Sequence, residues 1–178
     1  MLELINNFAG IDASTTLFDI CCGTGAIGIC LSKIPKKVIG VELLVSAVDN
    51  AKENVSLNKD LLTEEKMEFH AGKAEETLPP IVRRVVDEGG KIIGIVDPPR
   101  GGLHGDVLKA LRTCKGLDRL IYVSCNAVSQ MRDLKWLCYE AKSKRKGPCF
   151  KPVNAVGADL FPHTNHIESI VLLERSYE

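Results

Sequence analysis

No stretch of this 178-residue chain approaches the ~20 consecutive apolar residues of a membrane-spanning helix. The opening residues, MLELINNFAG, carry acidic Glu3 and lack the basic start of a secretory signal. There is no Cys-x-x-Cys pair and no cluster of histidine and cysteine in the sequence, so no metal site is expected. Net charge is absent too: 23 basic residues balance 23 acidic ones. Strong non-specific attraction to nucleic acid is therefore not indicated, although an RNA enzyme could hold its substrate through another domain. Repeats and low-complexity segments are also missing. The only basic run, KSKRKGP (142–148), reads as a solvated helix end and loop, with an RNA backbone contact as the alternative.

What is there suits a single folded domain. Hydrophobic residues make up 45% and charged residues 26%, an ordinary balance for a globular chain of one core. The seven cysteines, two of them adjacent, lie mostly within apolar elements and point to a reducing, intracellular setting, cytoplasmic or nuclear.

Periodicity divides the chain into alternating strands and helices. Strands are expected at 15–20, 37–42, 66–72, 91–97 and 117–124. Helices are expected at 1–9, 26–34, 44–58, 74–88, 105–113 and 128–142. Two further strand patterns, FKPVNAVGADLF and HIESIVLLER, follow with no helix between them. The pattern predicts an α/β fold with a mostly parallel, doubly wound, seven-stranded sheet whose terminal strand is antiparallel.

The turn after the first strand, FDICCGTGAIG, contains Gly23-x-Gly25-x-x-Gly28. Glycines there let the backbone approach a ligand and open a helix with an electropositive N-terminus. Glu42 ends the second strand, where an acid can accept hydrogen bonds from ribose hydroxyls. Those two features fit NAD and S-adenosylmethionine equally. Asp19 favours the latter, since a carboxylate before the glycine turn repels a pyrophosphate but suits an amino group, directly or through the loop.

A second group stands at the same sheet edge. Asp97-Pro98-Pro99 closes the fourth strand, and its prolines make a rigid rim. In LIYVSCNAVSQ, Cys125 sits at the open end of a buried strand between Ser124 and Asn126. Glu168 enters the last apolar strand, and a carboxylate there must be paired or functional to offset its burial. His163 and His166 precede it and read as turn residues.

The motifs DICCGTGAIG, VIGVEL, VDPPRGGLH, LIYVSCNA and DLFPHTNHIESIVLLER, in this order, resemble the catalytic domain of RNA uracil-5-methyltransferases, most closely eukaryotic tRNA (uracil-5-)-methyltransferase homologues. The resemblance runs from about residue 1 to residue 175. It implies a Rossmann-like class I S-adenosylmethionine-dependent fold in one domain over 1–178. It also implies that Cys125 is the nucleophile and Glu168 the general base. The cofactor site would use Asp19, the loop from Cys21 through Gly23 to Gly25, Glu42 and Asp97. The substrate would be RNA, with the T-loop uridine of tRNA favoured.

Two departures stand out. Cys21 occupies a position where bacterial relatives often carry an aromatic residue. The family's upstream Phe-Phe-Gln-like segment, with its cofactor-binding glutamine, has no counterpart, and neither does its RNA-binding domain. The chain is therefore expected to be an excised catalytic domain that relies on further parts to bind RNA. Three rival readings remain: a nicotinamide-dependent oxidoreductase, an RNA-handling module that binds cofactor without turnover, and an amino-methyltransferase, which needs no cysteine.

Overall fold

The computed structural model describes residues 1–60, 62, 64–139 and 147–177. Its elements, in chain order, are α1 (Leu2–Ala9), β1 (Thr15–Ile20), α2 (Ala26–Leu31), β2 (Lys37–Glu42), α3 (Val45–Leu57), β3 (Met67–Ala71), α4 (Ala74–Asp87), β4 (Lys91–Val96), α5 (Gly105–Thr113), β5 (Arg119–Ser124), α6 (Ala127–Cys138), β6 (Phe150–Ala158) and β7 (Glu168–Arg175).

Among the described residues the strands form one seven-stranded sheet, ordered β3-β2-β1-β4-β5-β7-β6. β1 to β5 are mutually parallel. β7 runs antiparallel to both β5 and β6, as the terminal patterns predict, and lies between them. This placement follows hydrophobicity. Ile170 and Leu173 in β7 are fully buried, while most of β6 is exposed and carries Pro152 and a register shift, both suited to an edge.

Side-chain alternation divides the core between the two faces of the sheet. Phe18, Leu120 and Tyr122 pack with α4, α5 and Leu137 of α6. Leu17, Ile121 and Val123 pack on the other face with Ile5 of α1 and Ile27 of α2. Strand order reverses between β1 and β4, so the crevice beyond their carboxyl ends is where a ligand belongs. There the Asp97 amide donates to the Ile20 carbonyl at 3.4 Å, tying the two strand ends together.

Several boundaries differ from those the sequence predicts. α2 stops at Leu31 because Ser32 folds back, its hydroxyl donating to the Ile29 carbonyl at 2.7 Å. β7 begins at Glu168 rather than His166, so both histidines lie in the exposed β6–β7 connection. α4, in contrast, keeps its predicted span through Pro79 and Pro80, held by the buried stripe of Leu78, Ile81, Val82 and Val85. The predicted end of α6 and most of the basic run fall at 140–146, outside the described residues.

Candidate active site

The turn after β1 is shaped by three left-handed residues: Cys21 at φ 63°, Gly23 at 54° and Gly25 at 81°. Amides of Cys21 and Cys22 both donate to the Val41 carbonyl, at 2.9 and 3.2 Å, which fastens the turn to β2. Beneath it lies Asp19, only 1% exposed. Its Oδ2 accepts from the Gly28 amide in α2 at 2.8 Å. A side chain at Gly28 would meet that oxygen and Val38, each 2.9 Å from its Cβ, so the strand–helix contact requires glycine. The other oxygen, Oδ1, is buried without a hydrogen-bond partner. Burial, with the charges of Asp97 and Glu42 nearby, pushes the Asp19 carboxyl up to about 7 against the Gly28 bond.

Glu42 ends β2 facing the glycine turn. One carboxylate oxygen accepts from the Gly23 amide and the other from the Leu44 amide, both at 3.0 Å. Glu42 and Cys21 border a cavity of about 750 Å³, completed by Leu43, Leu44, Leu103 and the chain around Lys73 and Ala74. Leu43 is 62% exposed and Leu44 60%, an apolar wall open to a ligand. Burial pushes the Cys21 thiol up to about 12, with help from the carboxylates of Glu42, Asp19 and Asp97.

Glu75, His104 and Asp106 border the same cavity and bring possible metal-ligand atoms within 4.8 Å of one another. The trio has no local cue because Glu75 stands at the start of α4 and His104 and Asp106 at the start of α5, far apart in the chain. All are partly or fully exposed, and His104 Nδ1 is already engaged by the Asp106 amide at 3.4 Å as a helix cap.

The reactive half is built by β4, β5 and β7. Ser124 Oγ accepts from the Asn126 amide at 3.0 Å, forming a turn that leaves Cys125 half-buried just before α6. The β5–β7 ladder ends at Ser124 opposite Ser169. Continued one step, that antiparallel register sets Cys125 opposite Glu168, and directly opposed residues share a face at about 4.5–5.5 Å between Cα atoms. Glu168 is 7% exposed. Burial raises its carboxyl, and the charge of Asp97 raises it further. Asp97, itself raised by desolvation, thus acts on Asp19 on one side and on Glu168 on the other.

The predicted residues therefore gather at one sheet edge: Asp19, Cys21, Gly23, Gly25 and Glu42 around the glycine turn, Asp97 at the switch point, and Cys125 with Glu168 beyond it. His163 and His166 stay apart as exposed turn residues, the latter edge-on to Phe161. Two contributors have weaker sequence cues. Asn126 caps α6, its Oδ1 accepting from the Val128 amide at 3.1 Å while its Nδ2 donates to the Arg100 carbonyl at 2.9 Å. Asp133 is fully buried within α6, a charge on a face that helical spacing assigns to the core.

Sheet order, glycine turn, acid at the end of β2 and carboxylate at the end of β4 define a Rossmann-like methyltransferase fold. Solved structures bear this out. A Pyrococcus abyssi tRNA (uracil-54, C5)-methyltransferase, in complex with S-adenosyl-L-homocysteine, superimposes with a TM-score of 0.70 at 28% identity, over 96% of this chain and 37% of that one. An rRNA methylase from Streptococcus thermophilus gives 0.69 at 17% identity, covering 98% of this chain and 95% of that one, a likeness of fold alone. The tRNA (Uracil-5-)-methyltransferase family model matches residues 1–176, and the chain belongs to that family.

Among relatives, the Homo sapiens tRNA (uracil-5-)-methyltransferase homolog A is 43% identical over 175 residues, 98% of this chain and 27% of that protein. The Danio rerio homolog B is 45% identical over 163 residues, 90% of this chain and 33% of that protein. The chain thus spans a third or less of the length of these relatives. No described helix is long and apolar enough to cross a membrane.

Proposed function

We propose that this chain is the catalytic domain of an enzyme that methylates C5 of a uridine in RNA, with tRNA as substrate and its T-loop uridine as the target. The observation that carries the reading is the pairing of Ser124 with Ser169, whose chain neighbours are Cys125 and Glu168, with Asp97 linking Glu168 electrostatically to Asp19. Full activity is expected to require RNA-binding parts of a longer protein, in keeping with the neutral charge and the greater length of the relatives. Its seven free cysteines fit an intracellular setting.

The residues fit S-adenosylmethionine, which supplies an electrophilic methyl group when bound. Glu42 has acceptor capacity left for ribose hydroxyls after its two amide bonds. Leu43 and Leu44 offer the apolar wall for an adenine, and the turn from Cys21 to Gly25 the close backbone approach for the methionine portion. The orphaned Oδ1 of Asp19 places uncompensated negative character under that turn, where an ammonium group is favoured. A nicotinamide cofactor would bring a pyrophosphate against the same carboxylate, and neither the oxidoreductase nor the non-catalytic reading accounts for Cys125 opposite Glu168.

The chemistry follows from uracil itself. C5 is a weak nucleophile until C6 is attacked. The Cys125 thiolate forms a bond to C6, and the C5–C6 π electrons move towards the O4 carbonyl as an enolate. The enolate would return those electrons through C5 to the methyl carbon, whose bond to the sulfonium sulfur would break with S-adenosylhomocysteine as the leaving group. Glu168 then removes the C5 proton; its electrons re-form the C5–C6 double bond as the C6–S bond breaks and the thiolate leaves. The environment that raises Glu168 also makes it the better base, since proton transfer is most effective when the pKa lies near the working pH. The target uridine must leave its stack to reach this edge.

The test uses the full-length protein with S-adenosylmethionine and tRNA containing 5-fluorouridine. Fluorine at C5 blocks the final elimination. Mass spectrometry should find a covalent RNA adduct on Cys125, and none in Cys125→Ala. A wild-type protein that methylates uridine normally and forms no adduct would refute the covalent route.

A further inference from the structure

The loop after β4 carries Asp97 towards the reactive half and, a few residues on, supplies Gly102 and Leu103 to the cavity wall. Its backbone bonds to itself at one point, where the Gly102 amide donates to the Pro99 carbonyl at 2.8 Å. Apart from the Asp97 tie to Ile20 at its start, the loop is held by α6 and its cap Asn126. The Leu103 amide donates to Asp133 Oδ2 at 2.6 Å. The same oxygen accepts from the Tyr122 hydroxyl at 2.6 Å. Arg132 chelates Oδ1 through Nε and Nη2, at 3.0 and 2.9 Å, and extends Nη2 to the Gly101 carbonyl at 2.7 Å.

Tyr122 stands three residues before Cys125 on β5. One carboxylate thus joins the strand carrying the nucleophile to the loop that walls the cofactor cavity. Gln130, one turn earlier in α6, completes the connection. Its Nε2 donates to the Tyr122 carbonyl at 3.1 Å and to the Ser169 carbonyl at 3.2 Å, next to Glu168.

The fit is close. A Cβ on Gly102 would stand 2.6 Å from Asp133 Oδ2 and 2.5 Å from Arg132 Nη2, so loop and helix meet only because that residue is glycine at φ +79°. Asp133 is fully buried and is not part of the wall of the cofactor cavity. Its expense in desolvation is offset by charge-assisted hydrogen bonds from three residues. An apolar residue there would pack more cheaply but would leave Leu103 N–H and Tyr122 O–H without partners.

We infer that Asp133 is a positioning residue that fixes the distance between the cofactor-side loop and the Cys125–Glu168 pair, so that methyl transfer depends on it while thiolate addition to uracil does not. The inference rests on the covalent reading above. Addition and its reversal need only Cys125, Glu168 and the bound base. Transfer in addition requires two ligands held by two different parts of the fold to meet at one distance. A misplacement of about 1 Å can cost about 100-fold in such a step.

The two steps can be read separately. Thiolate addition at C6 allows C5 to take up a solvent proton and lose its own, so tritium at C5 is released to water without any methyl donor. Full-length wild-type protein, Asp133→Asn and Tyr122→Phe are compared for cofactor-free tritium release from [5-³H]uridine-labelled tRNA and for single-turnover methyl transfer at saturating S-adenosylmethionine. Asp133→Asn removes the charge and presents an amide donor to one set of donors. Tyr122→Phe deletes one hydrogen bond and retains the packing, so it provides the test should Asp133→Asn fail to fold. Both variants should release tritium within about threefold of wild type and methylate about 10–100-fold more slowly. Equal losses in both assays would reduce Asp133 to a merely structural residue and overturn the inference, as would unchanged methylation. Absence of tritium release from the wild-type protein would overturn the covalent reading, and the inference with it.

Discussion

Replacing Glu42 by alanine separates what this carboxylate does for the fold from what it does for a ligand. Its bonds to the Gly23 and Leu44 amides are both 3.0 Å, and neither is deeply buried. Water can take over those amides, so the loss in stability should stay below about 1 kcal/mol. A ribose is different. Inside the cavity its hydroxyls would lose a charged acceptor, a change of about 1.5–3 kcal/mol, or roughly 10–150-fold in Kd. Glu42→Gln should retain less than its shape promises. Two amides face the two carboxylate oxygens, and a glutamine must turn an NH2 group towards one of them. Calorimetric titration of the full-length variants with S-adenosylhomocysteine, alongside thermal melts, measures both effects. Unchanged affinity in Glu42→Ala would remove Glu42 from the cofactor site, and a large loss of melting temperature would make it a structural brace.

Glu168→Gln should allow methyl transfer but stall elimination, leaving a protein–RNA adduct that survives denaturation, whereas Cys125→Ala should lose both capture and methylation; normal turnover by Glu168→Gln would turn attention to His163 and His166. Asp19 sets a pH dependence. Burial raises its folded-state pKa to about 7, above the usual carboxylate range, so between about pH 4 and 7 the ligand-free folded state holds a proton that the unfolded chain releases. Stability from this group therefore falls as pH rises from about 4 to about 7, by an amount on the order of 4 kcal/mol. Asp19→Asn should melt higher than wild type at pH 8 yet bind S-adenosylhomocysteine more weakly; a lower melting temperature at that pH would count against the buried-charge account. Arg112, fully buried, donates to the carbonyls of Trp136, Leu137, Tyr139 and Gly147 at 2.7–3.4 Å. Arg112→Met should cost about 3–5 kcal/mol in urea unfolding, since buried carbonyls lose a charged donor. The isolated 178-residue chain should bind S-adenosylhomocysteine yet methylate tRNA far more slowly than full-length protein in a radiolabelled assay; equal rates would show that RNA binding resides in these residues.

The strands were legible because each is a short apolar run bounded by turn residues, and buried strands offer little else to read. The glycine turn was legible for the same local reason: Gly23, Gly25 and Gly28 do their work within a few residues of Asp19. Helix ends were less so. Ser32 ends α2 through a hydrogen bond of its own side chain, which periodicity does not reveal. The shared rim of Asp19, Glu42, Asp97 and Cys125 was legible from the strand ends, but the place of Glu168 in the sheet was not. Ser124 pairs with Ser169, bringing the chain at Cys125 towards Glu168, only because β7 inserts beside β5, and strand order is a property of the folded sheet. Asp133 had one local signal, a charge on the buried face of an amphipathic helix. Its partners, Tyr122 and Leu103, come from other elements and leave no mark on its neighbours in sequence.

The insertion of β7 between β5 and β6 also bears on how the domain is made. β7 is the last described strand to leave the ribosome, yet it occupies an interior place in the sheet. Until it arrives, β5 and β6 have no common partner, and the edge of β5 remains open with Leu120, Ile121, Tyr122 and Val123 beside it. Such an edge is a template for pairing with another chain. Synthesis from the N-terminus therefore builds the glycine-turn half first and holds β5, which leads into Cys125, unprotected until the end. The strand that closes this gap also brings Glu168, so completion of the sheet and the arrival of Glu168 near the end of β5 are a single event.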